Sequence, residues 1–537
     1  MKNRWLLVFL GAYVLFSILL FDPKLSVGGD NAVYLILAGS LARGTGYRSV
    51  YLPEQPEHTQ YPPGFPAILA VLEKISGRMN IFLDKVLVVV SGVLAMFIVY
   101  RLCGLWFAMT AAAAGAGKNS RAWSSDGNRL LQPGWLAMAL VVSIPMLIKY
   151  NHDILTEIPF LSVSMAAVYF LLRAEDMGGV NYWAGFACAI AGFLLRTAGI
   201  ALVLGVILLL VFRKQYWYLA VFVVVFLAVF VPWEIRAIRA GTGQSYFEQF
   251  FAKNPYIPDF GRAGVKDFVV RIGENAVKYF AAVIPQQFCA VLQPGWFSVG
   301  VGVVLSGLMV LGFAVVVRVW TIVETYFVFA FAVLFGWPSL WAGERFFLPV
   351  APLAVMYIVA GLCWLEHRLR RKYLAAAVVG VLVVVNMVAL ALAARKSVGD
   401  NIRYLAGDRY AGYSLDWRRY FECIEWIRDN VPEDRVILAR KPEFVYLLSG
   451  RRSFCPPFTG DQAAVKAAIE KCDYILFDNF YWTNLFRVFV APVLKQDVDR
   501  FRYVFKTEKP VFFVLRASGR PGGPGAEPVP HAVPELE

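Results

Sequence analysis

Residues 373–394 read YLAAAVVGVLVVVNMVALALAA and contain one strongly polar side chain, Asn386, and no charge. A helix needs about 20 apolar residues to cross the hydrocarbon core of a bilayer, so this run predicts a transmembrane helix. Similar runs recur along the 537-residue chain, which is 59% hydrophobic and 17% charged. The sequence therefore predicts an α-helical polytopic membrane protein with about 11 transmembrane helices. The other runs lie near residues 5–21, 83–105, 134–150, 154–173, 183–196, 198–212, 216–236, 296–317, 320–341 and 346–365.

The net charge of +14 lies mainly in short loops beside the apolar runs. Lys2 and Arg4 precede the first run, and the densest cluster, HRLRRK at 367–372, joins the last two. With eleven spans, separated at Arg196 into two short ones, these charges share the side of the N-terminus, which is then cytoplasmic. No basic stripe with interleaved aromatic residues is present, so we expect no nucleic-acid partner. An anionic lipid substrate is a second explanation of the positive charge.

The chain divides by composition into three parts. We predict a transmembrane domain over 1–394, with outside loops at about 22–82 and 237–295. Apolar segments then give way to alternating helices and strands over 395–517, which predict a small extracytoplasmic α/β domain with a partly parallel sheet. Residues 518–537 are rich in Pro and Gly and predict a disordered tail.

Asp30 lies just outside the first apolar run, in the segment GGDNAVYLILAGSLARG. The apolar residues that follow it have near-helical spacing and predict an amphipathic helix in the membrane interface. Asp30 is then the N-cap of this helix, a position that Asp favours. A carboxylate at the membrane surface can also act as a general base, and both interpretations are open.

The turn between the third and fourth runs is unusually polar. His152, Asp153 and Glu157 lie within one or two helical turns of one another. They could bind a divalent metal, form a solvated hinge, or supply a second acidic group; the hinge is favoured over the metal. A carboxylate inside a span is costly and usually functional, which singles out Glu157.

Two arginines interrupt apolar sequence near the predicted outer face. Arg196 lies in FLLRTAGIALV and Arg345 in GERFFLPV. The guanidinium group presents a planar fork that matches phosphate oxygens. The alternatives are that Arg345 pairs with Glu344 or reaches lipid headgroups, and that Arg196 stabilises a helix break. Tyr61, in the rigid turn YPPGFP, and Glu344, beside Arg345, are candidates to line a pocket.

In their order, these segments resemble the type C glycosyltransferases, in particular the bacterial relatives of protein O-mannosyltransferases and aminoarabinose transferases. The resemblance covers about residues 1–517, including the tail segment FECIEWIRDNVPEDRVILARKPEFVYLLSGR. It is carried by GGDNAVYLILAGSLARGTGY, YPPGFPAIL, HDILTEIPFL, LLRTAGIAL and GERFFLPVAPL.

The resemblance implies a polyprenyl-phosphate sugar donor and transfer to an acceptor, a lipid, a glycan or a protein, outside the cytoplasm of a bacterial inner membrane. It makes Asp30 the catalytic acid, Asp153 or Glu157 a second acid, and Arg345, with Arg196, the phosphate site. Many members have paired acids where this chain has Asp30-Asn31.

We expect no cofactor and no metal, although a divalent cation is not excluded by the residue types. The competing classes are a lipid or polysaccharide transporter or flippase, which predicts internal repeats and midplane charges, and a non-catalytic membrane scaffold.

Overall fold

A computed structural model describes residues 3–115, 132–177, 179–241, 246–293, 295–317 and 320–517. The predicted disordered tail, 518–537, lies outside the described residues. The helices are α1 (Asn3–Leu19), α2 (Asn31–Ala42), α3 (Gly64–Ser76), α4 (Ile81–Gly115), α5 (Pro133–Ser143), α6 (Pro145–Lys149), α7 (Glu157–Met177), α8 (Gly179–Leu195), α9 (Ile200–Phe212), α10 (Tyr216–Ala240), α11 (Tyr246–Phe251), α12 (Val265–Lys278), α13 (Ile284–Phe288), α14 (Trp296–Val316), α15 (Ile322–Gly336), α16 (Glu344–Phe347), α17 (Ala351–Leu369), α18 (Leu374–Leu405), α19 (Leu415–Asn430), α20 (Pro442–Ser449), α21 (Gln462–Ile469) and α22 (Ala491–Gln496).

The predicted apolar runs all contain helices, but these differ in length. Within the described ranges, six stretches are long and apolar enough to cross a membrane by themselves, and α5 with the helix after it makes a seventh, bent by 53°. Four other runs correspond to shorter apolar helices, among them α1 and α15. A mostly helical chain with several apolar spans confirms the predicted fold class, whereas the count of eleven stays a prediction.

The chain forms two compact units. The first consists of Met1–Lys24, Thr59–Phe250 and Ala263–Ile402, and contains most of the apolar helices. The second consists of Leu25–His58, Phe251–Arg262 and the C-terminal region from Arg403.

Glycine residues allow the helices of the first unit to pack closely. A Cβ atom on Gly312 of α14 would overlap the carbonyl oxygen of Tyr357 in α17, and one on Gly361 would overlap that of Leu308. Small residues at such crossings let helix backbones approach, which is how helices associate where the hydrophobic effect contributes little.

The helical sequence is broken at Arg196, as predicted. Helix α8 ends at Leu195, Arg196 is extended with φ −153° and ψ 130°, and α9 begins at Ile200. A Cβ atom on Gly199 would lie 2.7 Å from the Cα atom of Phe193, so only glycine permits this tight reversal. The break places a guanidinium group between two apolar helices.

Three separate segments build the second unit. The Tyr413 hydroxyl donates to the carbonyl oxygen of Leu25 at 2.7 Å, and the Ser453 amide donates to that of Tyr51 at 2.8 Å. The Thr459 hydroxyl donates to the carboxylate of Asp259 at 2.9 Å. The segment that carries Asp30 is therefore folded together with the C-terminal α/β region.

The C-terminal region contains one five-stranded sheet with the order β2-β1-β3-β5-β4. Strand β1 pairs in parallel with β2 and β3, while β5 pairs antiparallel with β3 and β4. The partly parallel sheet was predicted; β2 and β4 were not. The strands are β1 (Ile437–Ala439), β2 (Ser453–Phe454), β3 (Tyr474–Phe477), β4 (Phe501–Lys506) and β5 (Phe513–Ala517).

Helix α2 is not the interfacial amphipathic helix that we predicted. Ten of its residues, from Asn31 to Ser40, are buried, so it has no broad polar face. Its two polar side chains are satisfied locally: Asn31 donates to the carbonyl of Gly28, and the Ser40 hydroxyl donates to that of Gly46 at 2.7 Å.

Candidate active site

Glu157 is the centre of a charged cluster in the first unit. It is the first residue of α7, and its side chain is fully buried. Its Oε1 atom lies 2.6 Å from Nη1 of Arg196 and also accepts a hydrogen bond from Nε of Arg345. The structure thus brings together three of the residues singled out in the sequence.

Local backbone structure places both arginines in the cluster. Arg196 occupies the extended break between α8 and α9, and Arg345 lies in the single turn of α16. Their side chains are 11% and 20% exposed, and both guanidinium groups lie over the ring of Phe346, at 5.1 and 5.7 Å. Arg196 also donates to the hydroxyl of Thr156 at 3.1 Å.

Glu157 bonds both arginines through the same oxygen atom. Two guanidinium groups face one carboxylate, and both engage Oε1 of Glu157, whereas the buried Oε2 has no hydrogen-bond partner among the described residues. Guanidinium groups form charge-assisted hydrogen bonds with anionic groups such as phosphate.

A pocket of about 430 Å³ lies beside Arg196. Most of its lining is apolar or aromatic, and the indole Nε1 of Trp337 is a buried donor without a hydrogen-bond partner in the described chain. Tyr61, predicted to line a pocket, is buried and packs edge-on against Tyr246, which does line it, at 6.0 Å. The lining residues are Arg196, Thr197, Ala198, Tyr246, Val333, Leu334, Trp337 and Phe346.

Tyr150 is a site residue that the sequence analysis missed. The charges of Arg345, Glu157, Asp153 and Glu344 all act on its phenol group. Only its position before the polar turn could have identified it, because phenol groups are common at membrane interfaces.

His152 takes part in a different set of contacts. Its Nε2 lies 2.8 Å from the carbonyl oxygen of Ser17, and its ring packs edge-on against Phe21 at 5.6 Å. Across the described ranges, no group of three or more His, Cys, Asp or Glu side chains is arranged to hold a metal ion. The structure therefore places His152 apart from the partners of Glu157.

Lys85 was also not identified from the sequence. It is fully buried near the start of α4, and its Nζ atom donates to the carbonyl oxygens of Asp22, at 2.7 Å, and of Lys24. The charges of Asp22 and Asp153 also act on it. A lysine inside an apolar run has no visible partner in the sequence, because these partners are more than 60 positions away.

Asp30 lies in the second unit, at the N-cap position of α2, as predicted. Its side chain makes no capping hydrogen bond to the helix, so the expected cap interaction is absent. Gly29 before it has φ 63°, in the left-handed region that favours glycine. The catalytic role that the resemblance gives to Asp30 stays a prediction.

The sequence matches no protein-family model and no curated protein. Solved structures do resemble this one. ArnT from Cupriavidus metallidurans bound to undecaprenyl phosphate aligns with a TM-score of 0.56 and 11% identity, over 98% of this chain and 100% of that one. The archaeal oligosaccharyltransferase AglB from Archaeoglobus fulgidus, in complex with an inhibitory peptide and a dolichol-phosphate, aligns with a TM-score of 0.55 and 13% identity, over 97% and 75%.

At such low identity the likeness concerns the fold. It extends over nearly the whole chain, including both the apolar helices and the C-terminal sheet, and both neighbours are membrane enzymes of one structural class. The chain is a multi-pass membrane protein with the fold of the type C glycosyltransferases.

Proposed function

We propose that the protein is a membrane glycosyltransferase that moves a sugar from a polyprenyl-phosphate donor to an acceptor on the extracytoplasmic side. The observation that carries this proposal is the Arg196–Glu157–Arg345 cluster beside an apolar pocket. Two neighbours in fold were solved with polyprenyl phosphates, undecaprenyl phosphate and dolichol-phosphate.

The pocket has the two properties that such a donor requires. Its polar end carries Arg196 and the unpaired indole N–H of Trp337, which can donate to phosphate oxygens. Its remaining wall, with Val333, Leu334 and Phe346, suits the first isoprene units. A phosphate at the arginines would thus lie at the entrance of an apolar slot.

Glu157 acts in this proposal as a positioning residue. Because it is fully buried and bonded to both arginines, it holds their guanidinium groups in place before the donor arrives. Its carboxylate also reduces the electrostatic repulsion between the two neighbouring guanidinium groups. Its free Oε2 atom leaves open the second acidic role implied by the resemblance.

The proposed reaction is a single displacement with inversion. The acceptor hydroxyl oxygen forms a bond to the anomeric carbon, and the bond from that carbon to the phosphate oxygen breaks. Asp30 takes the hydroxyl proton, and the electron pair of the broken bond stays on polyprenyl phosphate. Arg345 and Arg196 stabilise the charge that develops on this leaving group. The role of Asp30 rests on the resemblance.

The same proposal assigns the sides of the membrane. The N-terminus and the basic cluster at 367–372 are cytoplasmic, and the C-terminal α/β domain is extracytoplasmic, in a bacterial inner membrane. No metal is assigned a role, because phosphate is already a competent leaving group.

Donor binding tests the proposal directly. Arg345→Gln and Arg196→Gln should each weaken binding of undecaprenyl phosphate to the purified protein by about 10- to 100-fold, since each removes a charge-assisted contact. Arg239→Gln removes the same charge from an exposed position of α10 in the same unit and is the matched control. Equal affinity in all four proteins would show that the cluster does not bind the donor phosphate.

A further inference from the structure

In the parallel part of the C-terminal sheet, the chain crosses from one side of β1 to the other. The chain passes from β1 through α20 to β2 on one side, and then through α21 to β3 on the other side of β1. In open α/β sheets, ligands bind in the crevice outside the carboxyl ends of the strands at such a point. Here, Arg440 directly follows β1 and Asp478 directly follows β3.

Within the described part of the chain, both side chains have buried polar atoms without hydrogen-bond partners. Asp478 is 3% exposed, and its Oδ2 atom accepts no hydrogen bond from any described residue. The Nε and Nη1 atoms of Arg440 donate none to the described residues. The two groups act on each other electrostatically, yet those atoms remain unpaired. Buried unpaired polar groups are rare in native proteins and call for an explanation.

The strand ends around them are held rigidly. The phenol oxygen of Tyr420 accepts from the amide of Lys441 at 3.2 Å, which fixes the chain after β1. Phe480, almost fully buried, packs on Trp417 and Tyr420 with ring centroids 4.9 and 5.1 Å away, which fixes the chain after β3. The unpaired atoms are therefore not a consequence of a loosely packed loop.

Two aromatic rings border the guanidinium group of Arg440. It lies over the rings of Phe458 and Trp482, at 5.3 and 4.9 Å. Trp482 is 43% exposed, and Tyr481, which precedes it in the chain, is 86% exposed. An accessible aromatic ring is therefore in contact with Arg440, and a second exposed aromatic residue is next to it in the sequence.

The opposite charges of Arg440 and Asp478 determine which class of ligand could bind there. Burial raises the pKa of Asp478 to about 7. Above that pH a simple anion would meet the Asp478 carboxylate, and a simple cation would meet Arg440. A pair of neighbouring hydroxyl groups suits both, because one hydroxyl donates to Asp478 and the other accepts from Arg440. Sugars also have apolar C–H faces, which pack on aromatic rings such as those of Tyr481 and Trp482.

We propose that Arg440 and Asp478, with Tyr481 and Trp482, form a binding site for a neutral saccharide in the C-terminal domain. The site is distinct from the Arg196–Glu157–Arg345 cluster, which lies in the other unit. It does not depend on the proposed transferase activity, because its ligand binds without a donor.

Saturation-transfer NMR on the full-length protein tests this inference. The protein is placed in lipid nanodiscs, since detergents with sugar headgroups would compete, and is mixed with methyl glycosides of glucose, galactose, mannose and arabinose. We expect at least one glycoside to bind, and Asp478→Asn and Arg440→Gln to weaken it tenfold or more. Asp499→Asn, an exposed carboxylate of the same domain, should bind like the wild type.

Tyr481→Ala protects the test against misfolding, because this exposed side chain contributes little to stability. It should also weaken binding. Binding of none of the glycosides, or equal binding by wild type and all three site variants, would overturn the inference. So would a signal that Arg345→Gln or Asp30→Asn removes while Asp478→Asn keeps it, because the sugar would then occupy the proposed transfer site.

Discussion

Replacing Glu157 with glutamine should destabilise the protein strongly, because it removes a fully buried negative charge that bonds both arginines. At an effective dielectric constant of about 20 and a separation of about 4 Å, one pair of unit charges is worth about 4 kcal/mol. Removing one partner of a buried ion pair typically costs about 3 to 5 kcal/mol, since the remaining charge stays buried. Because Arg196 and Arg345 are only 11% and 20% exposed, solvent can screen little of this loss.

The assay is reversible unfolding of the purified protein in mixed micelles, followed by helical circular dichroism. We expect Glu157→Gln to lower the free energy of unfolding by about 3 to 5 kcal/mol. Glu274→Gln, which removes an exposed carboxylate from α12 in the same unit, should change it by less than about 0.5 kcal/mol.

A double variant tests whether the effect of Glu157→Gln comes from the lost charge interaction with Arg345. In the Glu157→Gln background, the further change Arg345→Gln removes a cation that no longer bonds the Glu157 carboxylate, so it should cost much less than in the wild type. A loss below about 1 kcal/mol for Glu157→Gln, or strict additivity of the two changes, would refute the view that this carboxylate holds the arginines.

Three further predictions concern other parts of the molecule. Trp337→Phe removes a buried donor that has no hydrogen-bond partner among the described residues, so stability should change by less than about 1 kcal/mol while affinity for undecaprenyl phosphate falls roughly three- to tenfold. Unchanged affinity would exclude the indole from the donor site. Burial raises the pKa of Asp478 to about 7 from its usual 3.8, so its contribution to stability is present below about pH 4 and is lost as the pH rises through about 7. The stability of Asp478→Asn relative to wild type should therefore rise between these pH values, by up to about 4 kcal/mol, and a flat difference in the unfolding free energies would contradict the raised pKa. Gly312→Ala should destabilise the α14–α17 pair by about 1 to 3 kcal/mol, because its methyl group would overlap the Tyr357 carbonyl. The control is Gly307→Ala on the same helix, whose methyl group meets no atom within 4 Å. Equal unfolding curves for the two variants would argue against this close packing.

The apolar helices could be predicted from the sequence because each one corresponds to a continuous run of apolar residues. The break at Arg196 was equally local, since a charged residue and a glycine interrupt an apolar run. The contact of Glu157 with Arg345 could not be predicted in the same way, because it joins residues 188 positions apart. The resemblance suggested a phosphate site at Arg345, but it did not say that a buried carboxylate would hold both arginines.

The sequence predictions were wrong or incomplete where tertiary packing, rather than local periodicity, determines the structure of a helix or strand. Helix α2 has helical spacing, yet the second unit buries nearly all of it, so the expected polar face is missing. Strand β2 has two residues and becomes a strand only through pairing with β1. Strand β4, FRYVFK, mixes charged and aromatic residues at an edge of the sheet, where hydrophobic alternation is weak.

Turnover of a lipid-linked sugar tests the central claim most directly. The purified protein is incubated with a panel of polyprenyl-phosphate sugars and candidate acceptors, and release of free polyprenyl phosphate is measured beside two variants. The account predicts release by the wild type and by Glu54→Gln, an exposed acid of the same segment, and a loss of about 10²- to 10⁴-fold for Asp30→Asn. Equal release by Asp30→Asn and the wild type would contradict the catalytic assignment, and no release with any donor by the folded wild-type protein would contradict the proposed transferase activity.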